Sequence, residues 1–449
     1  FRMGDFYEMF DEDAVTVSKA LGLTLTQRTA GQPMAGVPYH QLDTYLKKLI
    51  GQGFRVAVCE QLQDASQAKG VVPRAVTRVL TPGTLVDDSL IEGESVGTLA
   101  AAFFTGSGDD APASCAVMEV STGDFVVLDA DHETIADELL RRGVRELLYA
   151  STADGKAPPR VERILKRLQI SGTPRPAWHF RPQEAIEAIR KHFGVTTLAG
   201  FGLADDDPAA VPAGAIIRYL LETQTISEED LAGVEGLTVA KATLAHIRPP
   251  RREHGEAACT IDAVSLRSLE IERTIRPGPT PTDGSLLGVF IGSSVARGVC
   301  RTPMGKRLVR DWLCRPLRDA GAIKARQRIV STFIEDRSLA QQCAVKLDGV
   351  QDIARIAGRL AMGRAGPRDM VGLARSLDAA CVLAQVLEGA PALAGVRDAL
   401  HAAAEKARPV AAAVIAGCVE DPPALARDGG IFRDEHFAPL PDLLLIDGG

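Results

Sequence analysis

The stretch RMGDFYEMFDEDA, residues 2–14, places Phe6-Tyr7-Glu8 inside a run that also carries Asp5, Asp11, Glu12 and Asp13. Apolar residues continue at helical spacing through DFYEMFDEDAVTVSKALGL and stop at Gly22, so a helix is expected over this segment. A triplet of this kind is most often one buried ring beside one solvated charge, and by itself it identifies no function. Outward from it, QLDTYLKKLIGQG (41–53) is a second amphipathic stretch, with Gly51 and Gly53 as stop signals. FRVAVCEQ (54–61) and RAVTRVL (74–80) are β-branched alternating runs, and TPGT (81–84) is a turn. Residues 1–88 therefore read as a small α/β domain, ended by an acidic linker over 87–94.

Residues 97–212 open with three strand-like runs, TLAAAFF (98–104), SCAVMEV (114–120) and DFVVLDA (124–130), the last two joined by a tight Ser-Thr-Gly turn. A helical stretch, DHETIADELLRRG (131–143), and a strand, VRELLYAS (144–151), follow. Three strands and then alternating helix and strand suggest an α/β layer of the ribonuclease-H type. Nucleases of that type hold Mg²⁺ on clustered carboxylates. The candidates here, Glu119, Asp124 and Asp129, alternate along the strands without clear partners, so the domain reads as non-catalytic. ADDDPAAVPAG (204–214) reads as its exit linker. From about 215 to 427 the signal is helical almost throughout, as in VSLRSLEIERT (264–274), IKARQRIVSTFIED (323–336) and PRDMVGLARSLDAACVLAQVLEG (367–389).

A chain of 449 residues is too long for one core. It has no run of eighteen apolar residues and opens on no basic-then-apolar leader, which implies a cytoplasmic protein with no membrane partner. The eight cysteines form no C-x-x-C pair and have no histidine at ligand spacing, so they read as buried thiols in a reducing compartment. A net charge of −7 argues on its face against nucleic acid, yet it hides an asymmetry. Between Arg301 and Ala380 sixteen Lys/Arg stand against eight Asp/Glu, a local +8 that leaves −15 elsewhere. Mixed charge on helices reads as a solvated face, so charge alone decides nothing.

TPMGKRL (302–308) approaches a phosphate loop and fails twice: Cys300 stands where the first glycine belongs, and Arg307 replaces the Mg²⁺-binding hydroxyl. No nucleotide cradle, nucleophile elbow or metal set appears elsewhere. The chain reads as a binding protein rather than an enzyme, with no metal and no cofactor.

Several ordered blocks carry a resemblance. RMGDFYEMFDEDA, PMAGVPYH (33–40), VAVCEQ (56–61) and RVLTPGT (78–84) resemble the amino-terminal domain of the MutS family of DNA mismatch-recognition proteins. AVSLRSLEI (263–271), DGSLLGVF (283–290), TPMGKRLVRDWLCRPLRD (302–319) and ARQRIV (325–330) are similar to the start of that family's helical core. The resemblance implies a multidomain fold. Its parts are an α/β mismatch-binding domain (1–88), an α/β ribonuclease-H-like connector (97–212) and an incomplete all-α core with long lever helices (215–436). It also implies that Phe6 stacks on a mispaired or unpaired base from the minor groove of double-stranded DNA while Glu8 hydrogen-bonds that base. Tyr7 would face the core, and Asp11, Glu12 and Asp13 the solvent. Arg28 and Arg74 match backbone-contacting positions, although each is equally a plain surface charge. Met34 either lines the same groove surface or is simply buried.

The full-length family is a DNA-dependent ATPase that uses ATP and Mg²⁺, forms a homodimer, meets a MutL-type partner and works in the bacterial cytoplasm at the nucleoid. This chain has no Walker motif, so the resemblance supplies recognition without ATP turnover. DPPALARDGGIF (421–432) looks like the approach to lever and clamp. LPDLLLIDGG (440–449) departs from the pattern and resembles a strand of the nuclease domain of the excision-repair protein UvrC, which would make Asp447 a metal ligand. Residues 437–449 are accordingly an atypical tail. The alternatives are a repair-complex scaffold without mismatch readout, and a MutS–UvrC-like fusion or assembly artefact.

Overall fold

The computed structural model describes residues 1–29, 31–63, 70–87, 90, 97–106, 108, 111–131, 134–226, 228–231, 242–253, 258–259, 261–276, 278–280, 282–424 and 426–433. The chain divides into two compact units, Phe1–Gly255 with Ala357–Arg364, and Glu256–Ile356 with Ala365–Gly449.

The first unit begins with β1 (Arg2–Met3), β2 (Phe6–Phe10), α1 (Asp11–Leu21), β3 (Thr26–Gln27) and β4 (Pro33–Pro38), whose strands form an antiparallel sheet in the order β1-β2-β4-β3. The helix expected from Asp5 onward starts only at Asp11; FYEMF is a strand. Three aromatics in five residues suit a pleated surface better than a helix, and Asp11 takes a left-handed φ of 54° where strand gives way to helix. Asp11, Glu12 and Asp13 are exposed in the first turn of α1, where carboxylates meet free amides and the positive end of the helix dipole. Next come α2 (Leu42–Gly51) and an antiparallel ribbon, β5 (Val56–Gln61) and β6 (Arg74–Leu80). Leu46, Ile50, Val58, Leu80 and Leu90 form their core. The acidic linker expected over 87–94 falls mostly outside the described residues.

The same unit continues through β7 (Thr98–Phe104), β8 (Ala113–Glu119), β9 (Asp124–Ala130), α3 (Ile135–Arg141), β10 (Val144–Ala150), α4 (Pro159–Leu168) and β11 (Ser171–Arg175). It closes with α5 (Pro182–Phe193), α6 (Ala210–Gln224), α7 (Glu228–Leu231) and β12 (Arg251–Arg252). The sheet order is β11-β10-β7-β8-β9-β12. The three consecutive strands β7–β9 are antiparallel, while β10 and β11 run parallel to β7. Both faces are covered: Ala116, Met118 and Phe125 pack with Ile189, Ile216 and Leu220 on one side, and Cys115, Val117 and Leu128 with Ile135, Leu139 and Ile164 on the other. Strands buried twice read as continuous apolar runs, as these do.

The exit linker expected over 204–214 is overturned, because α6 already begins at Ala210 and residues 210–217 are all buried. Pro212 sits in the first turn, where a missing N–H costs nothing. Gly214 lies against α5 so closely that an added Cβ would be 2.2 Å from the Ala185 carbonyl oxygen. Small residues that resemble a linker are here the surface of a tight helix–helix contact.

The second unit is helical: α8 (Ala263–Ser268), α9 (Leu286–Ile291), α10 (Pro303–Cys314), α11 (Ala320–Glu335), α12 (Arg337–Leu347), α13 (Ile353–Ala361), α14 (Pro367–Val386) and α15 (Ala394–Gly417). The last residues of α13 are grouped with the first unit. Side chains of Asp262, Ser285, Thr302, Asp319 and Asp336 accept first-turn amides, which sets where five of these helices start. The run VSLRSLEIERT is helical only to Ser268; Glu270 takes a φ of 49° and ends it. Long α14 and α15 pack together, with Leu339, Cys343, Leu383, Leu387 and Leu393 in a shared cluster. Among the described residues no helix is long and apolar enough to cross a membrane.

Candidate nucleic-acid interface

Alternation along β2 separates its side chains into two sets. Tyr7 and Met9, with their partners Val37 and Ala35 on β4, face inward; Val37 and Ala35 are almost fully buried, as is Ala14 of α1. The Tyr7 ring packs against the Leu46–Ile50–Val58–Leu80 cluster, and its hydroxyl donates to the Glu60 carboxylate on β5. Burial first, and then the Glu60 bond and charge, push the Tyr7 hydroxyl well above the usual tyrosine range. Tyr7 is thus an anchor that holds the middle of the strand down.

Phe6, Glu8 and Phe10 form the other set, opposite Pro38, Gly36 and Met34. Phe6 is 47 % exposed, and Glu8, Phe10 and Met34 are half-buried. Gly36 lies between the first two: a Cβ there would be 3.8 Å from Phe6 Cδ1 and 3.7 Å from Glu8 Cγ. The missing side chain leaves a groove between ring and carboxylate. Arg28, just beyond β3, is exposed on this side, its guanidinium carbon 5.4 Å from the centre of the Phe10 ring. The structure therefore brings Phe6, Glu8, Met34 and Arg28 onto one open sheet face.

Arg74 is elsewhere. It starts β6 on the ribbon, and its guanidinium donates to the Arg2 carbonyl at 3.0 Å and the Val72 carbonyl at 2.9 Å. The first of those bonds ties β6 to β1.

The connector carboxylates do not converge. Asp124 faces Arg251 at 3.6 Å, Asp129 pairs with Arg252 at 2.7 Å, and Glu119 accepts from the Ser121 hydroxyl at 3.0 Å. Arg251 and Arg252 belong to β12, whose pairing with β9 is invisible to a reading of local periodicity. Among the described residues no three His, Cys, Asp or Glu side chains form a metal-holding group. Asp447 and the whole tail over 437–449 lie outside the described residues.

The phosphate-loop look-alike is a helix start. Thr302 Oγ1 accepts the Gly305 amide at 3.0 Å, and Arg307 makes a two-pronged pair with Asp352 at the head of α13. Several arginines of the basic block have partners within their own unit: Arg310 pairs with Glu272, Arg315 with Asp311 and Arg375 with Glu420, while Arg326 stacks on Trp312 at 3.5 Å.

Two α/β layers followed by a helical body define a multidomain chain whose first domain presents an aromatic ring and a carboxylate on an open sheet. Comparison with known families gives MutS domain I over residues 1–89, MutS domain II over 98–228 and MutS domain III over 264–441. Proteins named DNA mismatch repair protein MutS are similar over 99 % of this chain. That of Salinibacter ruber is 34 % identical and covered over 46 % of its length; those of Anaeromyxobacter sp. strain K and Myxococcus xanthus are each 36 % identical and covered over 47 %. The chain belongs to the MutS family. It spans about half the length of the curated relatives it matches.

Proposed function

We propose that this chain recognises mispaired or unpaired bases in duplex DNA and so initiates mismatch repair, with Phe6 as a wedge stacked on the base and Glu8 as its hydrogen-bond acceptor in the minor groove. The observation that carries this reading is the placement of Phe6 and Glu8 side by side on an open face, with Gly36 between them and Tyr7 anchored beneath. A wedge must unstack a base step, which costs a few kcal/mol, and the duplex kinks toward the major groove as it does so. A base–aromatic stack returns about 1–3 kcal/mol. A mispair has already lost part of its pairing, so the same deformation is less costly there than in matched duplex.

Glu8 works by exclusion as much as by contact. A carboxylate brought toward phosphates is repelled and desolvated, and it becomes tolerable only where a displaced base offers it a donor. Arg28 is assigned a backbone phosphate, which positions the duplex without reading its sequence. Met34 is assigned to the floor of the same face. Arg74 is assigned the support of β1 rather than a phosphate. The strand order of the connector supports the ribonuclease-H-type reading, and the arginine partners of Asp124 and Asp129 support a non-catalytic role for it. ATP turnover, dimerisation and a MutL-type partner are not assigned to these residues. The scaffold alternative is disfavoured because it leaves the exposed Phe6 ring beside Glu8 without a use.

The test is equilibrium competition between a G·T duplex and a matched duplex at two salt concentrations. Preference for G·T that persists while matched-duplex affinity falls steeply with salt supports the reading. Equal affinity for both duplexes overturns it.

A further inference from the structure

One buried acid is not used by the DNA-facing residues. Glu146, in β10, is fully enclosed, and its carboxylate gathers four neutral donors. Oε2 accepts from the Thr81 hydroxyl and from the Gly83 amide at 3.1 Å; Oε1 accepts from the Thr173 hydroxyl at 2.5 Å and the Tyr219 hydroxyl at 3.0 Å. Burial foremost, then the Glu146 charge, push the Tyr219 hydroxyl above its usual range.

These donors come from two domains. Thr81 and Gly83 belong to the TPGT turn, within the segment matched by MutS domain I, whereas Glu146, Thr173 and Tyr219 lie on β10, β11 and α6, within the segment matched by domain II. The turn is shaped for this seat. Thr84 Oγ1 holds the Thr81 amide at 3.0 Å, and an added Cβ at Gly83 would lie 2.8 Å from Glu146 Cβ, so only glycine fits. A second tie runs beside the first: Gln224, at the end of α6, donates to the Val79 carbonyl of β6 at 2.8 Å. From the turn, bonded structure continues through β6 to β5, and Glu60 of β5 holds the Tyr7 hydroxyl between Phe6 and Glu8.

We propose that Glu146 is a positioning residue for mismatch recognition: it docks the TPGT turn on the connector and so holds the Phe6–Glu8 strand in one orientation within the first unit. A carboxylate accepts all four at once, and bonds to a charged acceptor are roughly twice as strong as those to a neutral amide of the same size. The Gly83 amide cannot turn to accept, so a weaker acceptor leaves this buried donor less well held. A fixed orientation matters because the discrimination depends on forcing a bend, and a domain free to pivot yields with the duplex instead of bending it. The proposal rests on the functional reading above.

Two variants of the 449-residue chain test it. Thr81→Val removes one donor from the turn and leaves the connector intact; Glu146→Gln keeps the size of the side chain and removes its charge. Hydrogen exchange is expected to speed up by about tenfold at the Gly83 and Thr84 amides, while amides of β7–β9 stay protected. The ratio of G·T to matched-duplex affinity is expected to fall several-fold, with matched-duplex affinity unchanged. Unaltered exchange at the turn in Thr81→Val overturns the docking claim. Faster exchange with an intact ratio overturns the positioning claim. If Glu146→Gln does not fold, Thr81→Val still decides both points. A wild-type chain that shows no mismatch preference defeats the functional reading instead, and exchange alone then judges the junction.

Discussion

Replacing Phe6 with alanine should separate recognition from folding. The ring is 47 % exposed, so about half of its burial is at stake in the free protein. Full burial of a phenylalanine side chain contributes about 1.5–3 kcal/mol, and half of that is about 1 kcal/mol, too little to unfold a domain anchored beneath by Tyr7. On DNA the loss is larger. A base–aromatic stack is worth about 1–3 kcal/mol, and at about 1.4 kcal/mol per decade the affinity for a G·T duplex should fall about 5- to 150-fold. Matched duplex is held through phosphates and should change little. Fluorescence anisotropy with both duplexes, alongside a thermal melt of each protein, reads the two effects together. A parallel loss on both duplexes would make Phe6 a general contact and refute the wedge. Unchanged selectivity would refute it as well.

Arg28→Ala should weaken G·T and matched duplex alike and flatten the slope of log affinity against log salt by about one; a selective loss on G·T would count against a phosphate contact. Tyr7→Phe removes a hydrogen bond to a carboxylate and should lower stability by about 1.5–3 kcal/mol in urea titrations, and an unchanged midpoint would deny the anchor. Asp352 supplies a pH signature. Burial pushes its carboxyl up, but the Arg307 hydrogen bonds and charge outweigh that, with help from Arg355, and hold it below the ordinary range. A depressed folded value means that this stabilisation is complete above about pH 4 and is lost as pH falls below it. Asp352→Asn should cost about 3–5 kcal/mol at neutral pH and reduce the acid-side slope of stability, whereas a slope equal to wild type in urea midpoints across that range would contradict the pairing.

What could be read in advance follows the range of the interactions concerned. The inward turn of Tyr7 between Phe6 and Glu8 came with the resemblance, because the local pattern alone reads as a helix. The strand–helix boundary at Asp11 was not legible, since FYEMF satisfies both periods and β4 decides between them. Arg74 sits in sequence among basic residues of a strand, but its partners are the Arg2 carbonyl and the Val72 carbonyl, the first of them 72 positions away. Arg307 breaks the phosphate-loop pattern; its partner, Asp352, lies at the head of α13. Nothing in VRELLYA sets Glu146 apart from its neighbour Arg145, and only the folded chain brings four donors to it. Asp124 and Asp129 gave a hint in their awkward spacing, and β12 supplies the arginines that explain it.

The central claim is that a displaced base stacks on Phe6. The most direct measurement places an unpaired 2-aminopurine in a duplex and follows its fluorescence as the chain is titrated to saturation. A stacked base changes its emission on binding, and that change should be present with the wild-type chain and absent with Phe6→Leu at matched occupancy. The same change in both proteins would contradict the account.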